Sequence, residues 1–361
     1  MKYIIQKEKR PVYLQLYRQL RDDIIEGNYP YNTKLPSKRS LAEETGVSTV
    51  TVEHAYGLLC DEGYVEARQR SGYMVIFRKS DGFATANALP ADISVPEATV
   101  FPDFPLSVLS KTVRKVLTEH GELLLAKSPN PGTLALREAI RHYLARNRGI
   151  RVEAEQIVIG SGSEYLYGLI VELLGRNKIF AIESPSYKKI RQVYEATEIG
   201  CDLLPLTMEG IDSYALAETT AEVLHTTPYR SYPSGVTASA SKRHEYIRWA
   251  DQPGRYIIED DFESEFSVST QPSETLFSLS DRDNVIYLNT FSKTVSPSLR
   301  IGYMVLPRHL VTPFQEKLGF YSCTVSTFMQ YIMTELINNG DFERHINRVR
   351  RKRRKELSGQ R

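Results

Sequence analysis

The sequence predicts two domains: a small N-terminal α+β domain and a larger α/β domain with a mostly parallel sheet. Three observations predict this organisation. Residues 1–78 contain three short helical patterns and then a hairpin pattern. Residues 79–105 are polar and then proline-rich, which is typical of a linker. Beyond them, helical patterns alternate with short apolar segments, which favours a parallel sheet covered by helices. The length of 361 residues fits two or three domains.

The composition indicates a globular protein, with 41% hydrophobic and 25% charged residues. No segment reaches the roughly 18 apolar residues of a membrane span, and the first residues lack the apolar core of a secretory signal. We therefore expect a cytoplasmic protein without a membrane partner. Cys60, Cys201 and Cys323 form no CxxC pair and are expected to be small buried side chains. The seven histidines show no metal-ligand spacing, so no metal site is predicted.

Charge is unevenly distributed along the chain, although the net charge is only +2. Residues 1–80 carry 13 Lys/Arg against 10 Asp/Glu, and residues 81–343 carry 24 against 33. Residues 344–361 carry 9 Lys/Arg against one Asp/Glu. A mildly basic N-terminal domain attached to an acidic larger domain suggests that only the first meets a polyanion.

The N-terminal domain has the pattern of a helix-turn-helix followed by a hairpin. A first helix is predicted in 11-PVYLQLYRQLRDDIIEGNYP and ends at Gly27. The segment 36-PSKRSLAEETGV predicts a short helix ending at Gly46, and Ser48 then caps a helix in 49-TVTVEHAYGLLCDEG. The alternating pattern in 64-YVEARQRSGYMVIF predicts a two-stranded wing.

These elements suit double-stranded DNA, because the first turn of the third helix can meet base edges while basic residues neutralise phosphates. A small helical cap or dimerisation module is the alternative. The predicted DNA-binding residues are Lys38, Arg39, Ser48, Thr49, Thr51, His54, Arg68, Arg70, Ser71 and Gly72.

In the larger domain, four apolar segments are expected to be strands: 156-QIVIG, 178-KIFAIE, 255-RYIIEDD and 285-NVIYLN. Ligands of such sheets lie at the carboxyl ends of the strands. The first segment leads into the Gly/Ser turn 160-GSGSEYLYGLI, and the second leads to Tyr187. The third ends in consecutive carboxylates, and the fourth leads to Lys293 in 290-TFSKTV. Each feature alone also has an ordinary structural explanation.

Taken together, the four strand ends predict a pyridoxal 5'-phosphate site. A lysine at a dry strand end is more readily deprotonated and nucleophilic, so Lys293 is the predicted Schiff-base residue. Asp260 would keep the pyridinium nitrogen protonated, and Tyr187 could cover the planar ring. The phosphate would be held by residues of the Gly/Ser turn and of the last strand end. These residues are Ser161, Gly162, Ser163, Ser292 and Arg300, and Thr290 is also predicted to bind the cofactor.

The N-terminal domain resembles the winged-helix domain of GntR-type bacterial regulators, whose pattern LPSxRxLAxxxGVSRxTVxxAYxxLxxxGY is matched from Leu35 to Tyr64. Two positions depart from that pattern. Thr49 stands where the family has arginine, and Glu53 stands at an often basic position. We therefore expect an unusual DNA affinity or sequence preference.

The larger domain resembles the fold-type I aminotransferase domain of MocR-type regulators, in which a GntR winged helix precedes a pyridoxal-phosphate domain. The segments 227-TPYRSYPSGVTAS, 258-IEDDFESEF and 290-TFSKTVSPSLRIGY carry this resemblance. It implies a dimeric transcriptional regulator that senses an amino compound by external aldimine formation. At matching positions, Lys293 is the Schiff-base lysine, Asp260 the ring-nitrogen partner and Tyr187 the stacking aromatic. Arg300 contacts a phosphate or a substrate carboxylate.

Two side chains near the predicted cofactor differ from the family's. Phe262 replaces a tyrosine that lies near the cofactor's phenolate oxygen, and we expect Tyr232 to supply the missing hydroxyl. Arg230 replaces a histidine. It either selects an acidic effector or points to solvent, and we favour the second.

The sequence ends at Arg361, whereas MocR-type proteins continue for roughly another hundred residues into a small domain. We therefore divide the chain into residues 1–78, 79–105, 106–340 and 341–361, the last being the start of a small domain. In that segment Phe342, Ile346, Val349 and Leu357 share one helical face, which favours an interrupted helix over a free polybasic tail.

The sequence predicts a pyridoxal-phosphate-dependent regulator that binds operator DNA and an amino acid or amine. Two alternatives are an aminotransferase with an accessory DNA-binding domain and a repressor that binds DNA constitutively. The N-terminal domain favours regulation, because an enzyme has no evident use for it. Effector binding and full turnover are the functions expected to suffer most without a closing domain.

Overall fold

The computed structural model of the protein describes Tyr3, Ile5 and residues 11–68, 71–77, 104–267 and 274–359, with side chains described as far as residue 356. The chain forms two compact units, Met1–Pro96 and Glu97–Arg361. The predicted Arg70 and almost all of the predicted linker lie outside the described residues.

The small unit has three helices and a hairpin, as the sequence predicted. Its elements are α1 (Val12–Glu26), α2 (Lys38–Thr45), α3 (Thr49–Asp61), β1 (Val65–Arg68) and β2 (Gly72–Val75). The Ser37 side chain caps α2 and the Ser48 side chain caps α3, each accepting a hydrogen bond from a backbone N–H in the first helical turn. Gly27 and Gly46 end α1 and α2 in the left-handed conformation.

One apolar core holds these elements together. Leu16 and Leu20 of α1, Leu41 of α2 and Val52 of α3 are completely buried in it. The hydroxyl of Tyr56 donates to the carbonyl oxygen of Pro36 at 2.8 Å, which fixes α3 to the start of α2. The two helices of the helix-turn-helix are therefore held at a defined angle.

The large unit is built on an eight-stranded sheet in the order β3-β10-β9-β8-β7-β4-β5-β6. Its strands are β3 (Ile157–Gly160), β4 (Phe180–Ser184), β5 (Cys201–Thr207), β6 (Gly210–Ile211), β7 (Val223–Thr226), β8 (Tyr256–Asp260), β9 (Val285–Thr290) and β10 (Gly302–Val305). Five neighbouring strands, β5, β4, β7, β8 and β9, are parallel, whereas β10 is antiparallel to both β9 and β3. The predicted mostly parallel sheet is confirmed, and the four predicted strands are β3, β4, β8 and β9.

In the described part of the large unit, ten α-helices accompany the sheet. They are α4 (Leu106–His120), α5 (Leu134–Asn147), α6 (Ser163–Leu174), α7 (Lys188–Ala196), α8 (Ser213–Glu218), α9 (Ala240–Ala250), α10 (Leu276–Leu279), α11 (Arg308–Leu318), α12 (Thr327–Asn338) and α13 (Asp341–Gly359). Alternate residues of β9 join different cores: Tyr287 packs with residues of α5 and α12, and Ile286 with residues of α6 and α11. Because β3, β4, β8 and β9 run in the same direction, their carboxyl ends meet at one edge of the sheet.

The helix predicted near the end of the sequence is present as α13. Its apolar side chains find a partner within the large unit, since Phe342 and Ile346 are buried in the core that contains Tyr143 and Phe291. The Phe342 ring lies 5.2 Å from Tyr143 and 5.4 Å from Phe291, measured between ring centroids. Further along, Arg350 Nε donates to the backbone oxygen of Glu265 at 2.5 Å. The side chain of Leu357 lies outside the described residues.

The three cysteines are free thiols. Each is only partly buried, so the expectation of fully buried side chains is wrong. Even so, burial raises the pKa of all three thiols above its ordinary value. Within the described ranges, no helix is both long and apolar enough to cross a membrane.

Candidate functional site

A cavity of about 390 Å³ lies at the edge of the sheet where the predicted strand ends meet. The residues that line it come from the start of α6, the start of α7, the loop after β7, the ends of β8 and β9 and the segment just before β10. They are Gly162, Ser163, Glu164, Tyr167, Tyr187, Tyr232, Asp260, Phe262, Thr290, Ser292, Lys293 and Arg300. The structure therefore brings together every predicted cofactor-binding residue except Ser161.

Ser161 lies beside this cavity without lining it. Its backbone oxygen accepts a hydrogen bond from Arg300 Nη2 at 3.3 Å. Its backbone N–H donates to Thr324 Oγ1 at 3.0 Å. Because that N–H already has a protein acceptor, Ser161 offers no backbone donor to the cavity, and its carbonyl oxygen helps to orient Arg300.

Asp260, the last residue of β8, is the buried carboxylate of the cavity, with 2% of its surface exposed. Its Oδ2 accepts a hydrogen bond from the hydroxyl of Tyr167. His225 Nε2 lies 3.7 Å from the same oxygen. The other oxygen, Oδ1, has no hydrogen-bond partner among the described residues. A buried carboxylate oxygen without a donor is costly, so Asp260 is suited to accept a hydrogen bond from a ligand.

Two tyrosines and a histidine support Asp260. The Tyr194 hydroxyl lies 2.6 Å from His225 Nδ1, which links α7 to β7 behind the carboxylate. Burial raises the pKa of Tyr167 well above its ordinary value, and the charge of Asp260 raises it further. The phenol of Tyr167 therefore stays protonated and remains a hydrogen-bond donor to Asp260.

Several groups that line or adjoin the cavity are suited to bind an anion. Helix α6 begins at Ser163, and its first backbone N–H groups have no partner within the helix, so this end carries a partial positive charge. Gly162 precedes it with φ of +96°, where a Cβ atom would lie 3.2 Å from Arg300 Nη2. The hydroxyl of Ser292 is buried and has no hydrogen-bond partner among the described residues. These groups match the needs of a phosphate.

Glu164 adds a negative charge beside these groups. Arg300 Nη2 donates to Glu164 Oε2 at 2.8 Å, and Lys189 Nζ donates to Oε1 at 2.7 Å. Partial burial acts to raise the pKa of Glu164, but the hydrogen bonds from Lys189 and Arg300 outweigh it, so the pKa is lowered. Glu164 therefore stays ionised and holds Arg300 at the edge of the cavity.

Lys293 lies in the turn after β9, three residues beyond Thr290. Its side chain is 37% exposed, and Nζ donates to Glu263 Oε1 at 3.2 Å. The expectation of a desolvated lysine is therefore wrong for this structure. The turn carries the side chain to a partly exposed position, where its neighbour is the carboxylate of Glu263.

Aromatic side chains form the open side of the cavity. The rings of Tyr187 and Tyr232 lie 6.2 Å apart at an angle of 74°. Tyr232 is 57% exposed and Tyr187 is 36% exposed, so both rings have free faces. Phe262 lines the same cavity and has no hydroxyl.

The loop after β7, which carries Tyr232, is anchored by a buried carboxylate. Glu183, at the end of β4, accepts hydrogen bonds from Thr226 Oγ1 at 2.5 Å, from the Thr227 backbone N–H at 2.9 Å and from the Ser231 hydroxyl. Burial raises the pKa of Glu183 to about 7, although these hydrogen bonds oppose the rise. This anchor fixes the loop on both sides of Arg230.

Arg230 itself does not line the cavity. Its side chain is 48% exposed, and Nε lies 3.8 Å from Glu263 Oε2. This placement favours the expectation that Arg230 points towards solvent. Its contact with Glu263 nevertheless connects it to Lys293.

Sequence reasoning missed Tyr167 and Glu263. Tyr167 lies four residues after Ser163, so both are on the same face of α6, and that spacing could have placed Tyr167 near the cavity. Glu263 lies in the irregular segment after β8, where no periodicity indicates the direction of a side chain.

A second surface, in the small unit, carries the predicted DNA-binding residues. Lys38 and Arg39 begin α2, while Ser48, Thr49 and Thr51 lie at the start of α3. His54 follows on α3 with its side chain exposed, and Arg68, Ser71 and Gly72 lie exposed in the hairpin. The structure therefore brings the described members of the set to α2, α3 and the wing.

Lys38 on this surface is paired with Glu53 of α3. Its Nζ donates to Glu53 Oε1 at 2.8 Å. This hydrogen bond raises the pKa of Lys38 and lowers the pKa of Glu53, so both groups remain charged. One predicted phosphate contact is thereby partly neutralised by the acidic residue that departs from the family pattern.

No group of three or more His, Cys, Asp or Glu side chains in the described part of the chain could hold a metal ion.

Two family models match the chain. "Bacterial regulatory proteins, gntR family" matches residues 12–75, and "Aminotransferase class I and II" matches residues 103–359. A HTH-type transcriptional regulator of Bacillus subtilis, YdeL, is 33% identical over 359 residues, which is 96% of this chain and 77% of the relative. The probable rhizopine catabolism regulatory protein MocR of Rhizobium meliloti is 28% identical, over 94% of this chain and 74% of the relative.

Solved structures match the large unit. Pyrococcus horikoshii kynurenine aminotransferase, in complex with PMP, aligns with a TM-score of 0.63 and 27% identity. A multiple substrate aminotransferase from Thermococcus profundus aligns with a TM-score of 0.63 and 26% identity. The alignments cover 69% and 70% of this chain, and 64% and 65% of those two proteins respectively.

These matches explain why a DNA-binding fold and a cofactor-type cavity occur in one chain. The gntR-family match coincides with the helix-turn-helix and its wing, and the aminotransferase match contains the whole cavity. The chain belongs to the GntR family of bacterial regulators, in the MocR-type branch where a winged helix-turn-helix precedes a fold-type I aminotransferase-like domain.

Proposed function

We propose that the protein is a pyridoxal-phosphate-dependent transcriptional regulator that binds operator DNA through its small unit and senses an amino acid or amine at Lys293. One observation carries this proposal. A single cavity contains a lysine, a buried carboxylate oxygen that has no donor among the described residues, and an anion-binding helix end. Pyridoxal phosphate has one group for each of these: an aldehyde, a ring nitrogen and a phosphate.

The residues of this chain fit the cofactor at three points. Asp260 Oδ1 would accept the hydrogen bond of a protonated ring nitrogen, and Tyr167 would hold the carboxylate in place through Oδ2. The N-terminus of α6 and the hydroxyl of Ser292 would bind the phosphate. When bound, the cofactor supplies an aldehyde carbon that can exchange one amine for another.

Other residues would shape the rest of the pocket. Tyr187 would cover the face of the ring, and Thr290 and Arg300 would complete the phosphate side. The cavity volume of about 390 Å³ falls within the range of about 300 to 1,000 Å³ that is usual for small-molecule sites. An amine that replaces Lys293 would change the charge and contacts of the lysine, and this is the signal that the regulator would transmit.

The small unit would supply the DNA contacts. The first turn of α3 would lie in the major groove, and the basic residues of α2 and the wing would bind phosphates. We also propose that the regulator acts as a homodimer in the bacterial cytoplasm, because dimeric readers recognise paired half-sites on operator DNA.

An aminotransferase activity is the second candidate function. The observation that favours it is the likeness of the large unit to solved aminotransferases at 26–27% identity. The two functions are distinguished by multiple turnover with an amino donor and a keto acceptor. Sensing requires only that Lys293 be displaced, whereas turnover also requires product release and a new cycle.

An amine that binds at Lys293 should change the affinity of the protein for operator DNA. Operator DNA selected from a random pool would be titrated with the cofactor-loaded protein in the presence of single amino acids and amines. We expect at least one of them to change the DNA dissociation constant severalfold in the wild type and to have no effect on Lys293→Ala. Lys178→Ala, a lysine change remote from the cavity, should respond as the wild type does. DNA binding that no amine alters in any of the three proteins would contradict sensing and support the constitutive repressor.

The second prediction concerns Tyr232, whose hydroxyl would donate to the cofactor's phenolic oxygen in place of Phe262. Such a donor would withdraw electron density from that oxygen and so disfavour protonation of Lys293 Nζ when this nitrogen is bonded to the cofactor. We expect Tyr232→Phe to move the pH of the cofactor's absorbance transition upwards by about one unit, as for the loss of one hydrogen bond. Tyr229→Phe, on the same loop but outside the cavity, is the control. An unchanged transition in Tyr232→Phe would rule out the compensation.

The third prediction concerns the ion pair between Lys38 and Glu53. Removing the carboxylate should free Lys38 for a phosphate, so Glu53→Gln should bind operator DNA about threefold more tightly at low salt, with a salt dependence steeper by about one ion. Glu222→Gln in the large unit changes the net charge equally and should leave DNA binding unchanged. Equal effects of the two substitutions, or weaker binding by Glu53→Gln, would show that Lys38 makes no phosphate contact.

A further inference from the structure

The ammonium group of Lys293 is surrounded by a carboxylate and two aromatic rings. Its Nζ lies 3.2 Å from Glu263 Oε1 and 4.3 Å from the centroid of the Phe262 ring. The centroid of the Tyr232 ring lies 6.0 Å away. We name Glu263 and Phe262 the ammonium seat, because both contact the same nitrogen from adjacent positions of the chain.

The ammonium seat favours a charged nitrogen over a neutral one. A carboxylate within hydrogen-bond distance and the face of an aromatic ring each attract a cation. Glu263 is suited to this role because its side chain is only 20% exposed, so solvent screens the pair less than it would at the surface. Phe262 contributes a ring face and offers no hydroxyl that would compete for Glu263.

A second cation contacts the carboxylate of the ammonium seat. Arg230 Nε lies 3.8 Å from Glu263 Oε2, the oxygen that does not accept from Lys293. The other ionisable side chains that line the cavity are Glu164, Tyr167, Tyr187, Tyr232, Asp260 and Arg300. Glu164 and Asp260 have their own partners in Arg300 and Tyr167, so Glu263 is the carboxylate committed to the lysine.

We propose that the ammonium seat competes with the cofactor for Lys293, and that Glu263 is a positioning residue that sets how readily an incoming amine displaces the lysine. This inference rests on the proposed function. In the exchange, the double bond between the cofactor's aldehyde carbon and Lys293 Nζ would break, and a double bond from that carbon to the nitrogen of the incoming amine would form. The incoming nitrogen arrives as an ammonium group with three protons and would keep one of them. The other two would pass to Nζ, which already holds one and so becomes an ammonium group. The resulting lysine ammonium is the species that Glu263 and Phe262 bind.

The seat can be tested without any cofactor, because only the uncharged amine of a lysine reacts with acetic anhydride. Trace acetylation of the cofactor-free full chain at pH 8, followed by peptide mass spectrometry, reports the reactivity of each lysine relative to the exposed Lys188. We expect Glu263→Gln to raise the labelling of Lys293 about threefold, the order of effect of a partly exposed ion pair. Glu263→Asp, which keeps the charge, should restore part of the protection.

A matched control exists elsewhere in the large unit. Lys178 Nζ pairs with Glu222 Oε1 at 2.5 Å, remote from the cavity-lining residues. Glu222→Gln should raise the labelling of Lys178 and leave Lys293 unchanged. If Lys293 is labelled equally in the wild type, Glu263→Gln and Glu222→Gln, the ammonium seat does not exist.

Cofactor binding gives a second readout with its own control. Loss of the seat should make Glu263→Gln bind pyridoxal phosphate about threefold more tightly than the wild type does. Pyridoxamine phosphate cannot bond to the lysine, so its dissociation constant should not change. Equal changes for both compounds would show a general charge effect and overturn the proposal. If the wild type binds neither compound, the proposed function fails, and the labelling result still decides the existence of the seat.

Discussion

The candidate site depends on the buried carboxylate of Asp260. It ends the central strand β8 and is held through Oδ2 by Tyr167, while Oδ1 has no partner among the described residues. Burying a charged group is costly unless its oxygens are satisfied, so the surrounding structure has to compensate for this arrangement. Tyr167 on α6 provides part of that compensation through its hydrogen bond to Oδ2, and His225 Nε2 lies 3.7 Å from the same oxygen. Asp260 thus gives the cavity a polar surface, and its Oδ1 is the acceptor that a ligand can use.

The three consecutive carboxylates around Asp260 show how strand geometry separates roles. Glu259 accepts the backbone N–H groups of Leu276 and Phe277 at 2.9 Å, and burial and then the charge of Asp261 raise its pKa to about 8. Asp261 pairs with the buried Arg148 at 2.5 Å. Glu259 and Asp261 therefore make contacts that stabilise the fold. Of the three carboxylates, only Asp260 lines this cavity. Neighbouring residues of a strand point to opposite faces, which is why one sequence motif can serve both structure and function.

Much of this organisation could be predicted from the sequence because it depends on local patterns. Apolar strand segments that end in Gly, Asp or Lys-containing turns place those residues at one edge of a parallel sheet, and the structure brings Gly162, Asp260 and Lys293 to one cavity. The surroundings of Lys293 could not be predicted in this way. Its contact with Glu263 depends on an irregular segment after β8, and its exposure depends on how far the turn after β9 extends. Tyr167 was missed for a different reason: its spacing from Ser163 indicates the right face of α6, but a helix tyrosine with apolar neighbours is usually part of a core.

The most direct test of the proposed cofactor site is to load the protein with pyridoxal phosphate, reduce it with borohydride and map the modified peptide. We expect a visible absorbance band in the wild type and a reduced adduct on Lys293, and we expect both to be lost in Lys293→Ala. No band in the wild type, or an adduct spread over other lysines and retained in Lys293→Ala, would contradict the assignment of this cavity as the cofactor site.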